Sequence, residues 1–216
     1  AGVNKAIGIY MERCVSYVIA YIAILKAGGG YLPIETAYPL MLLEKTIRTA
    51  KPVAVLTKRK FYNNLPDEVK VPNDISFCLD NDWMKVLRQK QLKTLEDTEE
   101  VHHPDMAAYF IMTSGTTGVP KGIRCPHRGA VNSYYWRYQH YPYEGVEREA
   151  CNVFFVWEVM RPILQGSTAY VIPDDVIYDP RRLVALLREH KINRVLFTPS
   201  LLEQIMHTPK IDLKEN

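Results

Sequence analysis

Cysteine is scarce in this chain: Cys14, Cys78, Cys125 and Cys151 are the only four in 216 residues. They stand far apart, with no C-x-x-C spacing and no paired histidines to complete a zinc set, which excludes a disulfide framework and a zinc finger and leaves free thiols of a reducing compartment. Long apolar runs are also missing. None reaches the roughly 20 residues that cross a bilayer, and the start of the chain has no charged segment followed by an apolar signal core. No membrane association and a cytoplasmic location are therefore expected. Charge of one sign is not in large excess: the net charge is +3 and the lysines and arginines are scattered, so the basic stripe that would track a nucleic acid is absent and no nucleic-acid partner is expected. His102-His103 is a poor metal pair, because adjacent residues on a strand or helix point in different directions. The spacing G-x-G-x-x-G does not occur, which removes the dinucleotide fingerprint and the kinase glycine-rich loop.

What the chain does have is the material for globular cores, with 47% apolar and 24% charged residues, and one unusual stretch. Tyr109-Phe110-Ile111-Met112 is an apolar run of strand character. It ends in Thr113-Ser114-Gly115-Thr116-Thr117-Gly118-Val119-Pro120-Lys121-Gly122. Glycines let backbone N–H groups approach an anion, Ser and Thr hydroxyls add donors that rotate to suit, and a lysine supplies charge on a flexible stem. This is the chemistry of a polyphosphate grip. The Walker A loop requires Gly, four residues, then Gly-Lys and Ser or Thr; five on from Gly115 is Pro120, and Gly122 follows Lys121 instead of preceding it, so a P-loop is excluded. An ordinary polar hairpin loop would use many of the same residues. The strand before the loop and the Pro-Lys-Gly after it favour the grip.

Thr113 to Gly122 resembles the phosphate-binding signature of the adenylate-forming superfamily, which includes the adenylation domains of nonribosomal peptide synthetases, acyl-CoA synthetases and luciferases. Leu25-Lys26-Ala27-Gly28-Gly29-Gly30-Tyr31-Leu32-Pro33-Ile34 is similar to that superfamily's early signature, structural in role, with Glu35 where an aspartate is typical. The resemblance covers the whole chain. It implies an AMP-forming ligase that uses ATP and magnesium to convert a small carboxylic acid to an acyl-adenylate with release of pyrophosphate, for transfer to a carrier-protein thiol, coenzyme A or an amine. In the resemblance Thr113, Ser114, Gly115, Thr116, Thr117, Gly118 and Lys121 hold the nucleotide, Lys121 and Thr117 act in catalysis, and Thr117 lies near the metal. His127 and Asn132 match a histidine and asparagine that open the helix after the loop. His127 is then a substrate-side residue, while its residue type alone fits a capping or packing role equally.

Taken in order, the chain reads as strand Ala6–Tyr10, helix Ser16–Ala27 stopped by Gly28-Gly29-Gly30, strand Tyr31–Glu35, helix from Pro39 to Lys51-Pro52 and strand Val53–Thr57. Lys58 to Asp74 reads as surface loop, Ile75 to Leu79 as a strand, and Asp82 onward as a helix. After the phosphate loop, Ser133 to Tyr143 reads as a helix and turn packing tyrosines on the core, in preference to a stacking platform for bases. Then come helix Met160–Leu164 ended by Gly166, strand Thr168–Ile172, a helix opening at Asp179-Pro180, and a last strand Arg194–Pro199. This alternation predicts an α/β fold of two mostly parallel sheet units with flanking helices, part of the large N-terminal region of an adenylate-forming enzyme. The charged stretch Lys93–Glu100, ending in His102-His103-Pro104, marks the expected boundary between a first subdomain, residues 1–104, and a second, residues 105–216.

Asn152-Val153-Phe154-Phe155-Val156-Trp157-Glu158 resembles the peptide-synthetase motif that ends in Val-Trp-Glu. In that motif an aspartate three residues before the Val holds the α-ammonium of an amino acid; here the position is Val153. The resemblance thus makes Val153, Phe154 and Trp157 substrate-binding residues. A buried ammonium without a carboxylate is a costly unpaired charge, so the expected acid lacks an ordinary α-amino group. The resemblance also implies that the adenine site, a magnesium-binding glutamate and a mobile C-terminal domain lie beyond Asn216, so an isolated fragment of this extent is expected to be inactive. A non-catalytic nucleotide-binding or scaffold module derived from such a domain is the alternative, given the Val153 departure.

Overall fold

A computed structural model describes residues 4–70, 76–80, 103–113, 121–151 and 158–209. The chain forms two compact units, residues 1–12 with 16–132, and residues 13–15 with 133–216. Each has its own sheet and core.

The first unit is built on a six-stranded sheet. β1 (Ala6–Tyr10) is followed by α1 (Val15–Lys26), β2 (Gly30–Pro33), α2 (Leu40–Ala50) and β3 (Ala54–Thr57). A short α3 (Arg59–Tyr62) and a 3-10 turn (Asp67–Val69) lead to β4 (Ser76–Cys78), and β5 (Ala107–Thr113) and β6 (Lys121–Pro126) complete the sheet in the order β4-β3-β1-β2-β5-β6. All pairings are parallel except the last, β5 with β6. β1 lies in the interior of the sheet and all five of its residues are buried, which is why it reads as an unbroken apolar run. Gly28 ends α1 with φ +72° while the Gly29 N–H donates to the Ile24 carbonyl at 3.1 Å, the left-handed helix stop that only glycine adopts without strain. Lys51 takes the same conformation after α2, just before Pro52 rules out another helical turn.

On one side the core gathers Tyr10, Leu32, Ile34, Leu43, Ile47 and Val55. The rings of Tyr21 and Tyr31 meet edge to face at 4.2 Å, and Tyr31 continues to Tyr109 on β5 at 5.7 Å. The segment expected to be surface loop, Lys58 to Asp74, departs from that reading over its described part: Leu65 and Val69 are each only 2% exposed and belong to this core. Two apolar residues spaced by one turn are enough to pin an otherwise polar stretch, and Lys58 and Lys60 pair with Glu12 at 2.7 and 3.0 Å.

In the second unit β7 (Arg148–Cys151) lies between β8 (Thr168–Val171) and β9 (Arg194–Val195), all parallel. Residues of α4 (His127–His140), together with α5 (Met160–Leu164), α6 (Asp174–Ile177), α7 (Pro180–Glu189) and α8 (Pro199–His207), complete it. Ala150, Ile172, Val176, Leu183, Val184 and Ile205 form its core. Asp179 caps α7 by accepting from the Arg181 and Arg182 N–H groups at 3.0 and 3.2 Å, with Pro180 in the first turn, as its position in the sequence suggests. Gly166, at φ +67°, ends α5.

Several expectations shift. The boundary at 104/105 falls inside the first unit, because β5 and β6 hydrogen-bond onto the first sheet and the division comes at 132/133. The last strand is only Arg194–Val195, since Thr198 caps α8 and Pro199 begins it. Of the tyrosine-rich stretch, Tyr134 is buried, but Tyr135 and Trp136 are exposed. The helix expected from Asp82 lies outside the described residues. Among those described, no helix is long and apolar enough to cross a membrane.

Candidate functional site

The signature loop is held by a hairpin. β5 enters the sheet through a parallel pairing of Tyr109 with Tyr31, and its buried first residues give way to half-open ones toward Thr113. β6 returns antiparallel, with Ile111 opposite Ile123, Met112 opposite Gly122 and Thr113 opposite Lys121. The Thr113 hydroxyl donates to the Lys121 carbonyl at 3.4 Å. Opposed residues of an antiparallel pair stand only about 5 Å apart, so the loop leaves and re-enters the sheet at one place, and the exposed Lys121 ammonium stands at its mouth.

Of the residues singled out from sequence, the structure therefore brings Thr113 and Lys121 together. Ser114, Gly115, Thr116, Thr117 and Gly118 lie outside the described residues, as do Val153, Phe154 and Trp157. His127 is the first residue of α4, as the resemblance implied, and its N–H donates to the Met106 carbonyl at 3.0 Å. Arg128 follows by donating its N–H to the Pro104 carbonyl at 2.9 Å and by pairing its guanidinium with Asp105 at 2.9 Å. These bonds tie the start of the helix to the start of β5, so β5, β6 and the first turn of α4 are joined. At the mouth the Thr113 hydroxyl is turned to the Lys121 carbonyl, and the exposed Lys121 ammonium is the group that suits the phosphate end of a nucleotide. For a metal, no group of three His, Cys, Asp or Glu side chains converges among the described residues.

A cavity of about 500 Å³ opens beside Tyr10, Tyr38, Leu43, Asn64 and Lys70 in the first unit. None of the sequence-predicted site residues lines it.

The second unit holds a feature that sequence reasoning missed. Glu149, in mid-strand on β7, is 1% exposed. Its carboxylate is paired with the Arg161 guanidinium and accepts from the Tyr143 hydroxyl. Arg161 also meets Glu158 at 2.8 Å, and Arg137 reaches Glu158 at 3.1 Å from α4. The Tyr138 hydroxyl donates to the Arg161 carbonyl at 3.0 Å. Burial pushes the Glu158 carboxyl above the usual carboxylate range even though Arg161 and Arg137 pull it down. It pushes the Tyr143 hydroxyl up too, with Glu149 adding to the effect, and the Cys151 thiol is held protonated by burial and by the neighbouring Glu149 and Glu158. Burial opposes the charge on Arg161, but the hydrogen bond to Glu149 and the field of Glu158 outweigh it, so the guanidinium stays charged. The one signal available in the sequence was Glu158 and Arg161 at helical i, i+3 spacing next to an apolar motif.

Comparison with known proteins places the chain. It is 38% identical over 203 residues to the glycine betaine reductase ATRR of Emericella nidulans, covering 94% of this chain and 15% of that protein. It is 30% identical over 214 residues to the β-alanyl-bioamine nonribosomal peptide synthetase ebony of Drosophila melanogaster, covering 95% of this chain and 24% of that one. The chain thus spans less than a quarter of the length of these curated relatives. Among solved structures, the nonribosomal peptide synthetase FmoA3 superposes with a TM-score of 0.77 and 25% identity in its α-methyl-L-serine-AMP-bound form, covering 94% of this chain and 22% of that chain. Its AMPPNP-bound form gives a TM-score of 0.81 at 24% identity, covering 98% of this chain and 22% of that chain. The family described as AMP-binding enzyme matches residues 1–216 without a gap at either end. With the hairpin-borne loop, the parallel sheets and this match in agreement, the chain belongs to the AMP-binding enzyme family.

Proposed function

We propose that this chain works as the phosphate-gripping part of an ATP-dependent adenylation domain that activates a carboxylic acid and hands it to a thiol or an amine. The observation that carries the proposal is the pairing of Thr113 with Lys121 at the mouth of the signature loop, in a chain matched over its whole length by the AMP-binding family. Bound ATP, with magnesium, would supply the adenylyl group to a carboxylate oxygen, its β and γ phosphates departing together as pyrophosphate. Lys121 neutralises charge on the departing phosphates, an electrostatic role more than an acid–base one. Ser114, Thr116 and Thr117 orient them by hydrogen bonds, with Thr117 nearest the metal, and Thr113 joins them when its hydroxyl turns from the Lys121 carbonyl to a phosphate oxygen. The β5–β6 hairpin supplies the rigid base that keeps these donors in place. His127 stands on the acid side at the start of α4.

The acid is one without a protonated α-amine. Val153 occupies the position where the peptide-synthetase motif carries an aspartate, and an ammonium left there without a carboxylate would be an unpaired buried charge. The glycine betaine named for the 38% identical relative supports this reading: its α nitrogen is also charged, but the charge is spread over methyl groups and has no N–H needing an acceptor, so ring faces can meet it where a protonated amine needs a carboxylate. Phe154, Phe155 and Trp157 are residue types whose ring faces attract such a cation. A carrier-protein thiol or coenzyme A is the proposed acceptor.

The test is acid-dependent pyrophosphate exchange by the longest polypeptide that carries this chain, with quaternary-ammonium, aryl, keto and hydroxy acids set against standard α-amino acids. Exchange with the first group, and its loss in Lys121→Ala with folding retained, is expected. A standard α-amino acid outcompeting every analogue that lacks the amine would overturn the substrate class, and full exchange in Lys121→Ala would remove that lysine from the site. Val153 also favours a second reading, a non-catalytic nucleotide-binding module, which predicts ATP binding with no exchange for any acid.

A further inference from the structure

The β5–β6 ladder that carries Lys121 is uneven. Ala107 stands opposite Pro126, but the next pair is Tyr109 with Cys125, so β5 uses two residues where β6 uses one. This is a β-bulge at Ala108, and a bulge changes which residues face each other further along. The change can be counted. Had the pairing of Ala107 with Pro126 run on evenly, Lys121 would stand opposite Met112; with the bulge it stands opposite Thr113. Neighbouring residues of a strand point to opposite faces, so a one-residue slip also changes the face of the sheet that Lys121 shares.

The bulge is buried, with Ala107 and Ala108 only 1% and 4% exposed, and backbone groups in such a place need partners. The Ala107 N–H donates to Asn4 Oδ1 at 2.7 Å. Asn4 precedes β1, Ala107 opens β5, and in the sheet β2 lies between those strands. β2 begins with Gly30, where a Cβ would come within 3.0 Å of Ala107 Cβ, so the strands crowd together at this point. Asn4 itself has φ +62°, in the left-handed region that asparagine enters more readily than most residues with a side chain. Glycine would take that backbone without strain but would bring no acceptor. Asparagine supplies both the conformation and the oxygen.

We propose that Asn4 is a positioning residue for the nucleotide: by taking the Ala107 N–H it holds the bulge, and through the bulge the register that sets Lys121 opposite Thr113. This rests on the assignment of Lys121 to phosphate binding. Asn4 touches no ligand in this role and acts through β5. Without its carboxamide the Ala107 N–H is left unpaired in a buried place, a cost that the strand relieves by moving, and β5 carries the movement to Thr113.

Asn4→Gly keeps the left-handed backbone and removes the acceptor, while Asn4→Asp keeps both. Register is read first, with no nucleotide, in the longest polypeptide that carries this chain. Ile111→Cys with Ile123→Cys places two thiols on opposed residues, which should close a disulfide under mild oxidation, identified by peptide mass. Adding Asn4→Gly should lose most of that cross-link, and adding Asn4→Asp should keep it. In steady-state pyrophosphate exchange without the added cysteines, Asn4→Gly should raise the KM for ATP about ten-fold or more, on the scale at which small misplacements act. The KM for the acid should change little, and Asn4→Asp should match the parent. Thr57→Val is the control for lost stability. It removes a buried hydrogen bond to the Tyr10 carbonyl at 2.7 Å, with β1 and β2 between its strand and β5, and should lower Tm while leaving both KM values in place. The proposal is overturned if the cross-link forms equally well with Asn4→Gly, if the KM values of Asn4→Gly follow those of Thr57→Val, or if ATP and acid KM values rise in parallel. Should Asn4→Gly not fold, Asn4→Ser, whose hydroxyl oxygen falls one bond short of the carboxamide oxygen, is read in the same way. Wild-type protein that exchanges with no acid sinks the assignment of function itself, and with it the role toward the nucleotide, whereas an unchanged cross-link refutes the register role alone.

Discussion

Gly30→Ala should separate the structural role of the early glycines from mere tolerance of small residues. Gly30 opens β2, and a Cβ built there would stand 2.7 Å from Phe110 Cε2, 3.0 Å from Ala107 Cβ and 3.2 Å from the Ala107 carbonyl oxygen. The phenyl ring can turn aside, but the Ala107 contacts are made by the β5 backbone and its first side-chain atom, so β5 itself must shift away from β2. Overpacking of this kind costs about 1–3 kcal/mol, offset by about 0.4–1 kcal/mol from the stiffer unfolded chain. The net is a loss of about 1–2 kcal/mol, or about 2–8 °C in Tm for a chain of this size. Gly29→Ala is the internal reference. Its Cβ also comes within 2.7 Å of an atom, but that atom is Ile7 Cδ1, the far end of a flexible side chain, and the next neighbours are at 3.5 Å. It should cost less than about 1 kcal/mol. Urea denaturation of both variants beside the parent measures the difference. Because β5 runs on to Thr113, the proposed function adds that Gly30→Ala should weaken ATP binding more than Gly29→Ala does. A Gly30→Ala chain as stable as the parent, or a Gly29→Ala chain less stable than the Gly30→Ala chain, would refute the argument from close strand approach.

Two further outcomes follow from the second unit. Hydrogen bonds from Arg194 hold the Glu147 carboxyl below its usual range, with burial opposing. The pair therefore contributes stability that is complete above about pH 4.5, the ordinary value, and is lost as pH falls through the lowered folded value. Thermal melts from neutral to acid pH should show a smaller acid-induced drop in Tm for Glu147→Gln than for the parent, and parallel curves would refute this. Asp179→Ala removes the acceptor for two N–H groups of α7 and should cost about 1 kcal/mol by urea denaturation, with Asn in its place restoring most of it.

The strands that read clearly in the sequence are those buried on both faces. Ala6–Tyr10 is apolar throughout and was located to the residue. The loop signature and the helix opening at His127 were legible because they are local. β7 was not, because Arg148-Glu149 carries the signature of a surface turn, and what makes Glu149 acceptable inside a sheet is Arg161, twelve residues on. A pattern of neighbours cannot show a charge neutralised from another element. The same limit hid Leu65 and Val69, whose burial depends on α2 and β3 more than on the polar residues around them. The family signature was thus readable from local spacing, while the Glu149–Arg161–Glu158 cluster depends on side chains far apart in the chain.

β6 ends the six-stranded sheet, and its first four residues, Lys121 to Arg124, are exposed. The rim of a sheet invites another molecule's strand to zip onto it, and charge or proline there discourages this. Lys121, Arg124 and Pro126 are the residues that do so here, flanking Ile123, which is 48% exposed. Under the proposed function Lys121 would therefore have two duties, as a ligand for phosphate and as a guard against self-association. Taking its charge away leaves Gly122 and Ile123 as an uncharged run at the sheet's margin, whereas Lys121→Arg keeps the margin guarded while changing the shape of the cation that the proposed function offers to a nucleotide, and so would separate the two duties.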